Sequence, residues 1–404
     1  MPLLKALYIT YDGINDPLGK SQVLPYLKRL GKEGIEVFLL SFEKNMDANA
    51  FKIKELKKEL NTFNIHWASL KFHKGHFPVK VWDLAAAFLV STEIVCKNKI
   101  KIVHSRGHFL AFIPVFLKRI FFMRFIFDMR GLWVEEKVDS GVLPEKGLIY
   151  ITAKFIEKKI MLSADEIIVL THALKDKLNQ SPYFKDRSGR ITVIPACVDT
   201  KLFYPYNSAE KPDRLFKDKF VVSYFGSVGT YYNFLAVIDF YKALSLKFKN
   251  AHLLIMLNML PGYVREELER NGIPSERYHL DSVSYEEVPK WLRASDVSLI
   301  FYNRKHSREG CSPTKFAEYL ACGLPVVINS GIGDTDKIIK EYKLGVVIDD
   351  FGEESYMSAV DELSRLMEER ASLSDRCRRA AKDLFSLDMG ISKYLDIYKR
   401  LVFN

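Results

Sequence analysis

Short runs of β-branched, aromatic and aliphatic residues alternate along the chain with longer stretches whose apolar positions recur every three or four residues. In the first half the short runs are Lys5–Thr10, Glu36–Ser41, Ile65–Leu70, Lys101–His104, Arg124–Asp128, Glu166–Leu170 and Ile191–Ile194. Helical periodicity lies between them, near 20–33, 50–60, 80–97, 145–163 and 172–179. Strands separated in this way predict a parallel sheet, because parallel neighbours need a long crossover and a helix usually supplies it. The pattern restarts at Phe220–Phe225, continues with a helix near 233–248, and adds strands at His252–Met256, Tyr278–Leu280, Val297–Phe301, Val326–Asn329 and Val346–Asp349. Three helices are predicted at the end, near 354–369, 372–385 and 388–402. Between the two series lie Pro195–Pro205 and the polar stretch 206–219, where a hinge is expected. The fold class read from this pattern is α/β, as two doubly wound parallel-sheet domains, 1–205 and 206–387. Ligands in such sheets sit at the carboxyl ends of the strands, where helix N-termini point.

Length and composition agree. The 404 residues suffice for two domains, and 48% hydrophobic against 27% charged residues is a globular balance. No apolar run is long enough to span a bilayer; the longest, Phe109–Leu117, meets Lys118 and Arg119 at once. The N-terminus runs into a predicted strand without the layout of a signal peptide. Five widely spaced cysteines with no CxxC pair argue against a disulfide framework or structural zinc, and the expected location is the cytoplasm. Charge is uneven: residues 1–205 carry 32 Lys+Arg against 21 Asp+Glu, an excess of +11, while residues 206–404 carry 28 against 29. A basic half favours an anionic partner, either a membrane surface, a phosphorylated acceptor or nucleic acid, although lysine-rich solubility explains it equally well. Three segments are candidates for a basic, aromatic surface in peripheral contact with the inner face of a membrane: His108–Arg124, His73–Lys80 and the lysines of 52–58. Helices packed between sheet layers are just as apolar, so both readings stand. The stacking-aromatic and Gly-rich patterns of RNA modules are absent, and nucleic acid is not expected as a partner.

The stretch richest in chemistry is Cys311-Ser-Pro-Thr-Lys-Phe-Ala-Glu-Tyr-Leu-Ala-Cys-Gly-Leu-Pro-Val-Val327. It follows a strand and opens a helix, with Ser312 expected as N-cap and Pro313 as first helical residue. The free amides there could hold a diphosphate, with Lys315 adding a charge in the first turn. Glu318, one turn on, is placed to accept vicinal hydroxyls such as those of ribose. Gly323 and Pro325 end the helix. Asp334-Thr-Asp336 resembles a metal motif but precedes a helix, and capping explains it better. No Gly-x-Gly-x-x-Gly opens the first βα turn, which argues against NAD.

The 311–327 stretch resembles the nucleotide-sugar motif of GT-B glycosyltransferases of family 4, in the variant Ser-Pro-Thr-Lys-x-x-Glu-Tyr-Leu-Ala-x-Gly-x-Pro-Val. Other stretches agree in order: Asp12–Leu27 after the first strand, Asp128–Glu136, Ala164–Thr171, Val193–Phe203 and Ala294–Phe301. The resemblance covers nearly the whole chain. It implies the GT-B fold, two Rossmann-like domains facing a cleft. The C-terminal domain would hold a nucleotide-sugar, the N-terminal domain would hold the acceptor, and the last helix (388–404) would pack back on the N-terminal domain. It implies sugar transfer with retention at the anomeric carbon, to a glycan or lipid-linked glycan made on the cytoplasmic side, with no metal and no cofactor. Carried over by position, Glu318 would hold ribose and the amides of Ser312, Pro313, Thr314 and Lys315 the diphosphate or sugar, Pro313 contributing no amide of its own. Gly19, Gly226 and Ser227 would approach the donor, and Val283 would meet the base.

Three departures stand out. Members often carry two glutamates eight apart; eight before Glu318 is Gly310, and Glu309 is one position off. The Arg and Lys that clamp the diphosphate after the first strand of the second domain are replaced by Gly226-Ser-Val-Gly-Thr-Tyr-Tyr-Asn233, leaving Lys315 or the cluster Arg304–Arg308 to supply charge. The N-terminal cleft residue, often His, is Asp128, followed by Arg130. Because negative charge builds on the departing diphosphate, cations and amides aimed at it should carry much of the catalysis. Asp128 is the candidate for positioning the acceptor or taking its proton, with Arg130 and Lys315 as the other catalytic candidates. His104, Arg106, Glu135 and Glu136 are candidates for acceptor binding. The alternatives are a nucleotide-sugar-binding partner without turnover, and a nucleotide-sugar 2-epimerase of the same fold.

Overall fold

The computed structural model describes residues 4–46, 48–75, 77–184, 188–205, 216–229 and 231–403. The chain divides into two compact units, Met1–Pro195 with Gly390–Asn404, and Ala196–Met389.

The first unit contains seven strands, β1 (Leu4–Thr10), β2 (Ile35–Glu43), β3 (Ile65–Lys71), β4 (Ile102–Arg106), β5 (Arg124–Asp128), β6 (Glu166–Val169) and β7 (Ile191–Val193). Its helices are α1 (Pro17–Gln22), α2 (Leu24–Lys32), α3 (Ala50–Asn61), α4 (Phe77–Asn98), α5 (Phe112–Phe121), α6 (Trp133–Asp139), α7 (Leu148–Ser163) and α8 (His172–Gln180). The strands lie in the order β3-β2-β1-β4-β5-β6-β7, and every ladder is parallel. Right-handed crossovers fix which helix covers which face. From β1 the chain first steps one way, putting α2 and α3 on one face. From β3 it steps the other way, putting α4, α5, α7 and α8 on the opposite face.

The second unit contains β8 (Phe220–Gly226), β9 (Ala251–Leu257), β10 (Tyr278–Ser282), β11 (Val297–Ile300), β12 (Val326–Asn329) and β13 (Gly345–Ile348). Its helices are α9 (Phe234–Lys247), α10 (Tyr263–Arg270), α11 (Val288–Leu292), α12 (Thr314–Ala321), α13 (Thr335–Tyr342), α14 (Glu353–Glu368) and α15 (Arg370–Phe385). The sheet order is β10-β9-β8-β11-β12-β13, again all parallel. Neighbouring residues on one strand serve opposite cores: Val221 and Phe225 pack with α12 and α15, Val222 and Tyr224 with α9 and α14. Burial on both faces explains why these strands read as continuous apolar runs rather than as alternation.

The expected fold class, two doubly wound parallel-sheet units, is what the chain forms. Three details differ. The break between units falls near residue 195 rather than 205, because Val198 pairs with Ser386 and Phe203 is buried in the second core. Most of the polar stretch expected as the hinge, 206–215, lies outside the described residues. The single helix expected near 20–33 is two, α1 and α2. Val23 leaves the helical region at φ −122°, ψ −62°, and Pro25, in the first turn of α2, has no amide to continue α1.

The last helix, α16 (Leu387–Phe403), leaves the second unit and joins the first. Lys393 donates to the Val193 carbonyl (2.9 Å), Arg400 pairs with Glu166 on β6 (2.6 Å), and Tyr394 and Tyr398 are buried over β4 and β5.

Candidate functional site

In the second unit the sheet order reverses between β8 and β11: the chain steps outward from β8 to β9 and β10, then returns to lay β11 on its other side. Ligands of open α/β sheets bind outside the carboxyl ends of such a strand pair. Here those ends carry Gly226 and the segment leading into α12. That helix begins at Thr314 with Pro313 as N-cap in an extended conformation (φ −66°, ψ 121°), and no side chain caps it. This is one residue later than expected. Ser312, expected as the cap, instead accepts a hydrogen bond from the Ala196 amide at 3.1 Å. The first amides of α12 are thus left for an outside acceptor.

Lys315 sits in the opening turn. Its Nζ is buried with no hydrogen-bond partner, and lies 3.9 Å from the centre of the Tyr232 ring and 5.6 Å from that of Tyr224. Gly226, at φ +126°, makes this seat possible: a Cβ there would stand 1.8 Å from the lysine nitrogen. A second cation lies close in sequence. Arg308 is 5% exposed, its guanidinium 4.7 Å over Tyr231 and 5.5 Å from Tyr302, and its Nε has no partner. The Tyr302 and Tyr232 rings pack against each other, tilted by 33° with centres 4.7 Å apart, so the two cations flank one tyrosine pair. Among the described residues no carboxylate pairs with either. Taking an unpaired cation out of water is costly, and an anionic ligand would offset that cost.

Glu318 lies one turn beyond Lys315 and is 7% exposed. Burial raises its carboxyl to about 7, against the opposing pull of Lys315 and a hydrogen bond from the Tyr285 hydroxyl. Tyr285 is itself pushed well up, by burial and by the Glu318 charge. Val283 is buried, and its amide is committed to the Leu257 carbonyl at 2.9 Å. The Ser227 carbonyl accepts from the Tyr224 hydroxyl at 2.6 Å. Glu309 lies half-buried in the short 3-10 turn His306–Gly310, and Thr314 is half-buried at the helix start. Asp336 spends its oxygens on the Gly331 amide (2.9 Å) and the Thr335 hydroxyl (3.3 Å). The sequence reading missed Tyr285 and the tyrosines 231, 232 and 302. The doublet after the glycine-rich loop was a visible signal, but nothing local marked Tyr285, or set Arg308 apart from its exposed neighbours Arg304 and Lys305.

The first unit has its own reversal, between β1 and β4. There Arg106, 5% exposed, faces Asp12 at 3.5 Å. Asp128 and His104, also expected on the acceptor side, lie deeper. Asp128 is fully buried. It meets Arg130 at 3.4 Å, Arg106 at 3.8 Å and His104 at 3.6 Å, and accepts from the Tyr394 hydroxyl at 3.2 Å. Burial alone would raise its carboxyl, but Arg130, His104 and Arg106 overcome this and hold it well below the usual range. A carboxylate so stabilised is a poor proton acceptor, so of the two roles expected of Asp128, positioning the acceptor and taking its proton, this environment favours the first. Arg130 is correspondingly held charged; Asp128 and nearby tyrosines outweigh the opposing effect of burial. His104 is also buried, its Nδ1 2.8 Å from the Tyr398 hydroxyl and its ring 4.5 Å from Tyr8. Burial pushes its pKa down and favours the neutral ring. It anchors α16 to β4.

Glu135 belongs to an ionic ladder. It pairs with Lys154 (2.8 Å), Lys154 with the buried Glu157, and Glu157 with His108 (3.0 Å), locking α6 to α7. Glu136 is half-buried in the first turn of α6. Gly19 is glycine for a local reason: a Cβ would stand 2.2 Å from the Gly13 carbonyl, because the loop before α1 folds onto it.

Solved structures share this fold, among them these three. A glycosyltransferase from Rickettsia africae ESF-5 is 17% identical, with a TM-score of 0.73 over 99% of each chain. HepE from Anabaena, in complex with UDP and glucose, is 13% identical, with a TM-score of 0.70 over 98% of this chain and 100% of that one. Sucrose-phosphate synthase from Thermosynechococcus elongatus is 16% identical, with a TM-score of 0.67 over 98% and 99%. Comparison with curated protein sequences gives no match. Residues 207–383 match the family described as Glycosyl transferases group 1, so the second unit carries a glycosyltransferase group 1 domain.

Proposed function

We propose that this protein is a retaining glycosyltransferase of the family 4 type, moving a sugar from a nucleotide-sugar donor to a glycan or lipid-linked glycan acceptor. The observation that carries the reading is the unpaired Lys315 ammonium beside Gly226, at the uncapped start of α12 and one turn from a buried Glu318. A diphosphate satisfies the lysine and the free amides together, and the ribose hydroxyls of the same molecule suit Glu318. Arg308 supplies the second positive charge that the loop after β8 lacks. HepE, of the same fold, binds UDP and glucose.

In the reaction the bond between the anomeric carbon and the diphosphate oxygen breaks, and its electron pair leaves with the diphosphate. The acceptor hydroxyl attacks the same face of the sugar and gives its proton to the departing phosphate. Lys315, Arg308 and the α12 amides stabilise the charge that builds on that group. On this path no protein carboxylate need act as base, in keeping with the buried, ion-paired state of Asp128. Arg106 and Asp12 are then the acceptor-side groups, supported from below by Asp128, Arg130 and His104. No metal is assigned a role.

Calorimetric titration with UDP, GDP and ADP, with EDTA and then with magnesium, tests the reading. One nucleotide should bind without metal, and both Lys315→Ala and Glu318→Ala should weaken it about tenfold or more. Unchanged affinity in both variants would refute this placement of the donor. Donor conversion without acceptor would indicate an epimerase, and binding without transfer or hydrolysis a partner that has lost turnover.

A further inference from the structure

Ten of the 23 large apolar side chains exposed among the described residues lie on one face of the first unit, on α4, α5 with its cap, and α7. These helices are neighbours: α4 packs on α5 and α5 on α7, with Phe88 and Phe116 edge to face at 6.5 Å. Each already buries one apolar stripe against the sheet, through Ala87 and Val95, Ile113 and Leu117, and Ile160 and Met161. Each also shows a second stripe outward at helical spacing: Pro78, Trp82, Ala85 and Leu89; Phe116 and Ile120; Leu148, Ile151 and Phe155. A helix that is apolar on both sides needs a non-aqueous cover on both.

Phe122 adds an independent observation. It closes α5 in the left-handed conformation, φ 54° and ψ 37°, with its ring 92% exposed. Glycine or asparagine suits that backbone; a bulky aromatic there is unfavourable and gains nothing from the protein around it.

We infer that this face docks on an anionic lipid bilayer, with the outward stripes and Phe122 entering the interface. Charge decides between lipid and a second copy of the chain. Arg119 flanks Ile120, the Lys159 ammonium lies 5.2 Å from the Phe155 ring, Lys158 sits 3.4 Å over Tyr183, and Lys146 is exposed beside α7. Of the acids on the face, Glu93 is paired with Lys97 (2.6 Å), leaving Glu145. A twofold self-contact would set these cations against one another, whereas an anionic headgroup layer neutralises them. Aromatic rings beside lysine stems are also the side-chain chemistry of the membrane interface. Of the segments expected to face a membrane, 108–124 contributes through Phe116, Arg119, Ile120 and Phe122 alone. The lysines of 52–58 lie on α3, across the sheet. This surface is independent of the donor site.

The test is co-sedimentation of the full chain with vesicles of phosphatidylcholine alone, or of phosphatidylcholine with phosphatidylglycerol. The wild-type protein should sediment with the anionic vesicles. Replacing Phe116, Phe122 and Phe155 together by Asn should lower partitioning about tenfold or more. Arg119→Glu with Lys159→Glu should lower it on the anionic vesicles only. Phe122→Asn alone should bind less while melting no earlier than wild type, because asparagine suits the backbone, so its weaker binding would not be misfolding. The inference is overturned if wild type stays in the supernatant, or if the triple Phe variant sediments undiminished. It is also overturned if lipid-free wild type is a dimer that the triple variant makes monomeric.

Discussion

A carboxyl that ionises near 7 in the native protein but near 4.5 in a flexible chain makes Glu318 a source of pH dependence in two directions. Between those values the native state holds a proton the unfolded state has released, so stability falls as pH rises through the window. Glu318→Gln, which cannot ionise, should match wild type below pH 4.5 and exceed it at pH 8 by about 3 kcal/mol, read as a higher melting temperature. Donor binding should run the other way, because ribose hydroxyls donate to the ionised form. A nucleotide-sugar, whose diester diphosphate does not titrate here, should bind about tenfold more tightly at pH 8 than at pH 6, and Glu318→Gln should flatten the profile. A flat wild-type profile would remove Glu318 from the binding site. This residue was legible in the sequence, since its spacing from Lys315 puts both on one side of a helix opening at a strand end. Arg308 was not, because nothing in Arg304–Arg308 says which cation a fold will bury; only the tyrosines brought from 231 and 302 set it apart.

Between elements, the contact most exposed to mutation is the one joining β4, β5 and α16. Asp128 faces Arg130 and His104 and shares Arg106 with Asp12, with Tyr394 donating from α16. Asp128→Asn keeps the shape but removes the charge, leaving the half-buried Arg130 guanidinium without its anion and the buried Arg106 with Asp12 alone. The expected cost is about 3 kcal/mol or more in denaturant unfolding, against about 1 kcal/mol for Tyr394→Phe, which removes one hydrogen bond. If the two variants cost the same, Asp128 is not an electrostatic keystone. Gly226→Ala makes the matching prediction in the second unit: the methyl group would displace the Lys315 ammonium, and nucleotide affinity should fall as far as in Lys315→Ala. Strands were the most legible elements, because burial on both faces makes them unbroken apolar runs between turn residues. Element starts were less so. Ser312 was read as a cap from its residue type, yet its hydroxyl is taken by the Ala196 amide, a partner 116 positions away that no local pattern could reveal.

At the scale of the whole molecule, sequence order and structural membership part company at Met389, where the chain leaves the second unit to complete the first. Periodicity revealed the last helix, but its destination came only through resemblance, because an amphipathic stripe does not name the sheet it covers. The polar groups beneath it do. Without α16, His104 loses the Tyr398 hydroxyl, Asp128 the Tyr394 hydroxyl, Glu166 the Arg400 guanidinium, and the Val193 carbonyl its lysine. Ending the chain at Met389 should therefore leave those groups short of partners and weaken the first unit by several kcal/mol, while the core around α12 and α15 remains intact. Calorimetric melting should then resolve an early transition, lowered by about 10 °C or more, from a later one near the wild-type position. Nucleotide binding should survive below the early transition, since Lys315, Arg308, Glu318 and the α12 amides all belong to the second unit. If binding is lost with the tail although the later transition persists, donor recognition draws on the first unit as well, and Gly19 and the loop before α1 become the residues to test next.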